Sequence, residues 1–348
     1  MLEKVDYLIV GQGIAGSLLA VELVRAGKSV MVINHETENT SSNKAGGLYN
    51  PITGRRMIKT WLADSLFPNL EAYYGQLEEE LDSEFLFPMP IYRPFYGHDE
   101  QNDWAAKCDE LAYRPYIKNL YGKSREIPGV QDEFGGLELN LSGYVNLPVM
   151  LASIRKQLKE MGGYRNELFD YQQMKSEEQV TYKEIVADKI VFCDGPMVTD
   201  NPYWNHLPFK PVKGEVLEID TSLPTDMIVN RGVFVLPKNG RHSVGSTYDH
   251  KDLSYVPSEK GIKNLQDRLH KLYQGDYQLV NVTAGVRPAT YDRRPFIGLH
   301  PEDPNIGIFN GFGTKGVSLV PYFAGQYVNY LLRDGDLLPE VDVTRVNI

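Results

Sequence analysis

The sequence predicts an α/β chain with a separate antiparallel, α+β part. Three observations predict it. An apolar run, a glycine-rich turn, a helix and a second apolar run follow one another over residues 7–33. From about residue 205 to 250 the pattern changes to short strands joined by Pro, Asn and Gly turns. Residues 283–348 then return to strand, glycine turn and helix.

Tyr7-Leu8-Ile9-Val10 is short and wholly apolar, as a strand covered on both faces of a parallel sheet requires. Ile14, Leu18, Leu19, Val21, Leu23 and Val24 give a mostly apolar helix that Gly27 stops. Ser29-Val30-Met31-Val32-Ile33 is the second strand, which completes a βαβ unit. Residues 34–60 have no periodicity and are rich in Ser, Asn, Gly and Thr, and loops of that length are usually functional. Leu62, Leu66, Leu70, Tyr73, Tyr74, Leu77 and Leu81 predict a helix over 60–81. Residues 84–130 are aromatic and proline-rich, with mixed short elements. Asn146-Leu147-Pro148 opens a helix running to Met161, and Lys189 to Gly195 reads as a buried strand ending in a glycine turn.

Glu215–Ile219, Gly232–Leu236 and His242–Gly245 are strands, with Lys238-Asn239-Gly240-Arg241 as a hairpin turn. Helix returns over 258–272. The nucleotide-type domain is therefore discontinuous, made of 1–80, 130–205 and 283–348. Residues 81–129 and 206–282 form the inserted antiparallel domain.

Of 348 residues, 36 are Lys or Arg and 46 are Asp or Glu, a net charge of −10. A hydrophobic share of 42% with 24% charged excludes disordered, collagen-like and coiled-coil chains. The acidic excess argues against broad nucleic-acid binding, which needs a basic surface. Cys108 and Cys193 are too few for a disulfide framework or a four-cysteine zinc site, which suggests a reducing, cytoplasmic setting. Glu3 and Asp6 stand where a secretory leader carries bases. Tyr7 to Val24 has the length of a membrane span, yet contains Gln12, Ser17, Glu22 and three glycines, so no span is expected.

Gly11-Gln12-Gly13-Ile14-Ala15-Gly16 follows a strand and opens a helix, the context that makes GxGxxG informative. Gly11 makes the tight turn, Gly13 lets a diphosphate approach, and Gly16 lets helix and strand pack. The first-turn N–H groups around Ile14 and Ala15 then face the anion. This is a Rossmann-like dinucleotide site. Asn34 stands where an acid should hold the ribose, and Glu36 lies two residues on. The sequence leaves the choice between them open.

Gly285-Val286-Arg287-Pro288-Ala289-Thr290-Tyr291-Asp292-Arg293-Arg294-Pro295-Phe296-Ile297-Gly298 resembles the GxRPxTxDxxPxIG segment of the D-amino acid oxidase superfamily, which includes glycine and sarcosine oxidases. Gly311-Phe312-Gly313-Thr314-Lys315-Gly316-Val317 looks like its last flavin-binding turn. Ser41-Ser42-Asn43-Lys44-Ala45-Gly46-Gly47 is similar to its flavin loop, and Ile190 to Gly195 to the strand before its second adenine-side turn. The oxidase half of the bifunctional enzyme that matures 5-carboxymethylaminomethyl-uridine in tRNA is also similar. That likeness runs through Gly46 to Pro51, Val212-Lys213-Gly214-Glu215-Val216, Val244 to Tyr248 and Gly313 to Gly316.

The resemblance implies a GR2-type FAD-binding domain with an antiparallel substrate domain, non-covalent FAD, and oxidation of a C–N bond beside a carboxylate. It implies that Gly11, Gly13, Ile14, Ala15 and Gly16 hold the diphosphate, with Asn34 or Glu36 on the ribose. Ser41, Ser42, Ala45, Gly46, Gly47, Gly195, Gly311, Gly313, Thr314, Lys315, Gly316 and Val317 would approach the cofactor. Arg287, also beside the cofactor, would clamp the substrate carboxylate, its fork matching a carboxylate with two hydrogen bonds. The alternative for Arg287 is a structural ion pair with Asp292.

Arg56 and Lys59 match an Arg-x-x-Arg that sarcosine oxidases carry after the flavin loop. They add candidate cations, as does Lys315, with solvated roles as the alternative. Tyr248 and Tyr49 are candidate pocket linings. Ser243 stands near the place of an oxygen-activating lysine in sarcosine oxidases, which leaves the electron acceptor open. The partner expected is a small amine or amino acid. A tRNA-modifying flavoenzyme and a non-catalytic flavin-binding protein are the alternatives.

Overall fold

Strand chemistry alone separates two sheets in the computed structural model, which describes residues 3–37, 39–53 and 58–346. The first is built on five parallel strands in the order Tyr164–Asn166, Val30–Asn34, Glu3–Val10, Ile185–Phe192, Ile306–Asn310. Their apolar runs are needed because both faces are covered. Tyr7, Ile9, Val30, Val32 and Val191 face helices Ile14–Arg25, Ala63–Leu81, Leu147–Glu160 and Gly316–Leu331. Leu8, Val10, Met31, Ile33, Ile190 and Phe192 face a layer containing Tyr182, Val198 and Trp204.

The second sheet has eight strands, in the order Tyr277–Arg287, Val212–Thr221, Arg241–Gly245, Val233–Lys238, Ile228–Arg231, Ile91–Pro94, Gly136–Leu139, Ile117–Tyr121. All pairs are antiparallel except Ile228–Arg231 with Ile91–Pro94. The turn at Asn239 and Gly240 has φ of 53° and 74°, the two left-handed residues that match hairpin twist. Helix Glu259–His270 covers one face with fully buried Leu265 and Leu269, each contributing about 1.5–3 kcal/mol.

The sequence boundary at residue 130 moves. Gly136–Leu139 pairs with Ile91–Pro94 and belongs to the antiparallel sheet, although its residues were grouped with the nucleotide fold. Strand Tyr277–Arg287 likewise crosses the boundary at 283, because it pairs along the whole of Val212–Thr221. The helices expected over 60–81, 148–161 and 258–272 are Ala63–Leu81, Leu147–Glu160 and Glu259–His270. No helix among the described residues is long and apolar enough to cross a membrane.

Candidate active site

Two helices begin at one place. Gly13 caps Ile14–Arg25 and Lys315 caps Gly316–Leu331, neither through a side-chain hydrogen bond. A Cβ on Gly316 would lie 3.3 Å from Ile14 Cγ2, so the two first turns adjoin. Among the described residues, no group accepts from the N–H groups of Ala15, Gly16, Gly316 or Val317. These donors suit an anion such as a diphosphate.

Gly11 has φ +99°, and a Cβ there would lie 2.5 Å from Cys193 O. A Cβ on Gly16 would overlap Gly11 O. The turn is thus too tight for side chains at either position. Gln12 ties it down: its N–H donates to Asn34 Oδ1 (2.9 Å), and its Oε1 accepts from Arg155 Nε (2.7 Å). Asn34 is therefore engaged in shaping the turn. Glu36 sits among Lys159 (3.0 Å), Arg155 (3.3 Å) and the Tyr164 hydroxyl (3.1 Å). The hydrogen bond from Lys159 leads the effects that hold the Glu36 carboxyl below its ordinary range.

The loop after the second strand joins three elements. Ser42 Oγ accepts from the Ile14 N–H (3.1 Å), and the Ser41 hydroxyl donates to Val286 O. The Phe234 ring lies 3.1 Å from where a Gly46 Cβ would project, and Gly47 O accepts from Val145 N–H (2.9 Å). Ala45 caps the short helix Ser41–Lys44.

Arg287 ends strand Tyr277–Arg287. Its Nη2 donates to Ser246 Oγ (2.8 Å) and its Nη1 to Thr247 O (3.3 Å), with Cζ 5.0 Å from the centre of the Tyr248 ring. Among the described residues no carboxylate pairs with it. Asp292 instead holds Arg345 at 3.3 Å. Desolvation lowers the Arg287 pKa, yet an arginine stays charged. The next turn closes on it, with the Gly313 N–H donating to Pro288 O at 3.3 Å. Thr314 is exposed in that turn, and Gly311 stands against Thr290. Lys315 is half-buried, has no carboxylate partner among the described residues, and is lowered to about 8 by desolvation.

Lys59 sits elsewhere, paired with Asp64 at 2.7 Å and 5.9 Å from the Tyr116 ring centre. Arg56 lies outside the described residues. Tyr49 is buried, and its hydroxyl donates to Glu71 Oε1 at 3.0 Å. Tyr248 is 63% exposed beside Arg287.

Sequence reasoning gave no role to Gln12, Arg155, Ser246, Thr247 or Asp194. Asp194 stands two residues beyond buried strand Ile185–Phe192, beside Gly195, and accepts from Asn201 Nδ2 and Asn310 Nδ2, each at 2.9 Å. Burial raises its carboxyl to about 6. An acid closing an apolar run was the available signal.

A parallel sheet with paired glycine turns at two helix starts, and a second sheet presenting a half-buried arginine, defines a dinucleotide-binding oxidoreductase. The model of the DAO family, FAD dependent oxidoreductase, matches residues 6–331, so the chain belongs to that family and binds FAD. It is 25% identical over 350 residues to the glycine oxidase of Pseudomonas aeruginosa, covering 92% of each chain. It is 21% identical over 385 residues to the tRNA 5-methylaminomethyl-2-thiouridine biosynthesis bifunctional protein MnmC of Legionella pneumophila. That match takes in 95% of this chain and 55% of the relative, so the chain spans about half that relative's length. Glycine oxidase from Geobacillus kaustophilus shares the fold at TM-score 0.77, 21% identity, and 97% and 98% coverage. Iminodiacetate oxidase from Chelativorans does so at 0.78, 20%, and 96% and 97%.

Proposed function

We propose that this FAD-dependent oxidoreductase oxidises the C–N bond of an amino acid or N-substituted glycine, with Arg287 gripping the substrate carboxylate. One observation carries the reading: a half-buried guanidinium, fixed by Ser246 and Thr247, that has no carboxylate partner among the described residues. Two of its five N–H donors are used, which leaves three for a ligand. Low local polarity strengthens such a charge-assisted pair.

When bound, the flavin supplies the two-electron acceptor, so no protein nucleophile is needed. Tyr248 lies against the guanidinium in a cation–π contact, Cζ 5.0 Å from its ring centre. Lys315, mostly protonated at neutral pH, adds a second positive charge at the neighbouring turn. The adjoining helix N-termini and Ser42 support a place for the diphosphate. Glu36 is the better ribose ligand, because the Asn34 oxygen already accepts from Gln12. No cysteinyl bond to FAD is expected at Cys193, which is buried under Gly16 with its thiol pushed up by desolvation.

Anaerobic bleaching of the purified yellow protein by glycine, sarcosine or iminodiacetate tests the reading. No bleaching by any carboxylated amine overturns it, and bleaching by any amine excludes a non-catalytic flavoprotein. Likeness to MnmC favours a second reading, a uridine-modifying enzyme acting on a carboxymethylaminomethyl group in tRNA. The charge of −10 weighs against it. Bleaching by modified tRNA but by no free amino acid would select it.

A further inference from the structure

The loop that fixes Arg287 is itself fixed from below by two buried opposite charges. Lys213 and Glu215 alternate along strand Val212–Thr221, so both side chains fall on one face. Their side chains are 1% and 3% exposed and 3.9 Å apart. Lys213 Nζ donates to Asp252 Oδ2 (2.5 Å), Ser254 Oγ (3.1 Å) and Val256 O (2.5 Å). Glu215 Oε2 accepts from Thr247 Oγ1 (3.0 Å), and Oε1 accepts from Ser258 N (2.6 Å) and Oγ (2.8 Å). Ser258 caps helix Glu259–His270. The segment 246–258 is thus anchored near both ends by Glu215 and in its middle by Lys213.

The same segment supplies every partner of the Arg287 guanidinium described above. Thr247 is the junction: its hydroxyl also accepts from the Glu215 N–H (2.8 Å), and its carbonyl accepts from Arg287. Burying two charges is unfavourable unless they are paired and fully hydrogen-bonded, and a fully satisfied polar network rigidifies the segments it joins. A loop with no geometric duty would need neither charge. We propose that Lys213 and Glu215 are positioning residues for substrate recognition, setting the Arg287 fork through Thr247 and Ser246. The proposal rests on the reading of Arg287 as carboxylate anchor.

The test titrates glycolate, a carboxylate with hydroxyl in place of amine, into the FAD-loaded protein and follows the visible flavin band. Thr247→Val and Glu215→Gln are expected to weaken glycolate about tenfold with flavin content retained. Thr247→Ser restores wild-type affinity, a rescue that a purely structural role does not predict. Arg287→Ala weakens glycolate at least as much. Arg241→Ala, which removes a surface pair with Glu218 on the same sheet, changes nothing. Wild-type affinity in Thr247→Val, with loss in Arg287→Ala, overturns the positioning role alone. Wild-type affinity in Arg287→Ala overturns the anchor itself. Should Glu215→Gln fail to fold, Thr247→Val and its serine rescue decide.

Discussion

Gly214→Ala moves one functional group while leaving the strand intact. Gly214 lies in Val212–Thr221, and an added methyl would overlap Nη1, Nη2 and Cζ of Arg287. Ordinary contact is ~3.5 Å, so the guanidinium must retreat by roughly 1.1–1.6 Å. The obstacle is the far end of a flexible side chain, so the backbone need not shift. A displacement of that size costs about 100-fold in turnover when geometry matters, or ~2.7 kcal/mol. Losing the bonds to Ser246 and Thr247 costs about 1 kcal/mol each, partly offset by ~0.4–1 kcal/mol from a stiffer unfolded chain. Apparent Tm therefore falls by no more than about 3 °C. The assay is kcat/KM for the carboxylated amine that bleaches the wild type, beside a carboxylate-free amine and the flavin content. An unchanged value for the carboxylated amine, or an equal fall for both amines, refutes the reasoning.

Other expectations concern the cofactor turns and pH. Gly13→Ala places its methyl 3.3 Å from Ser42 Oγ, which must give by a few tenths of an ångström, so apo Tm falls slightly while FAD affinity drops. Gly16→Ala strikes the Gly11 carbonyl and lowers apo Tm more; thermal melts with and without FAD separate the two. Lys315 falls from 10.5 to about 8 on folding, so its burial penalty is full below pH 8 and is lost as pH rises to about 10.5. Lys315→Met should raise apo Tm at pH 7 and not at pH 11. Glycolate affinity of the wild type should fall as pH passes 8, and stay level in Lys315→Met; a level wild-type profile counts against the lysine. Glu36→Gln should weaken FAD with little change in apo Tm, whereas Asn34→Ala should lower both, because Asn34 holds the Gln12 N–H.

What the sequence made legible was local. The GxGxxG turn, the two apolar strands around it and the Asn239-Gly240 hairpin rest on spacing and residue type, and these carry over directly. The second sheet was read only in part, because Gly136–Leu139 is four residues long and follows a proline-rich stretch without a clear period. The sequence assigns Lys213 and Glu215 no role of their own, because alternation along a strand does not say which face is dry. The returning loop 246–258 and helix Glu259–His270 together make that face dry. Lys59 looked free because its partner Asp64 lies five residues on across a turn. Arg287 was legible through its GxRP turn, whereas the Ser246 and Thr247 that aim it lie about forty residues upstream, and the segment likeness at Val244 to Tyr248 assigned them no role.

The parallel sheet draws its central strands from residues 3–10, 185–192 and 306–310, and helix Gly316–Leu331 packs on Ile14–Arg25. A ribosome must therefore release nearly all of this segment before the first glycine turn meets its counterpart. Loading with FAD would then wait for residues 306–331, whose glycine turn has to reach the one that opens helix Ile14–Arg25. Shortened chains that stop before Gly311 should emerge colourless and be cleared by proteases, however well their inserted sheet has formed.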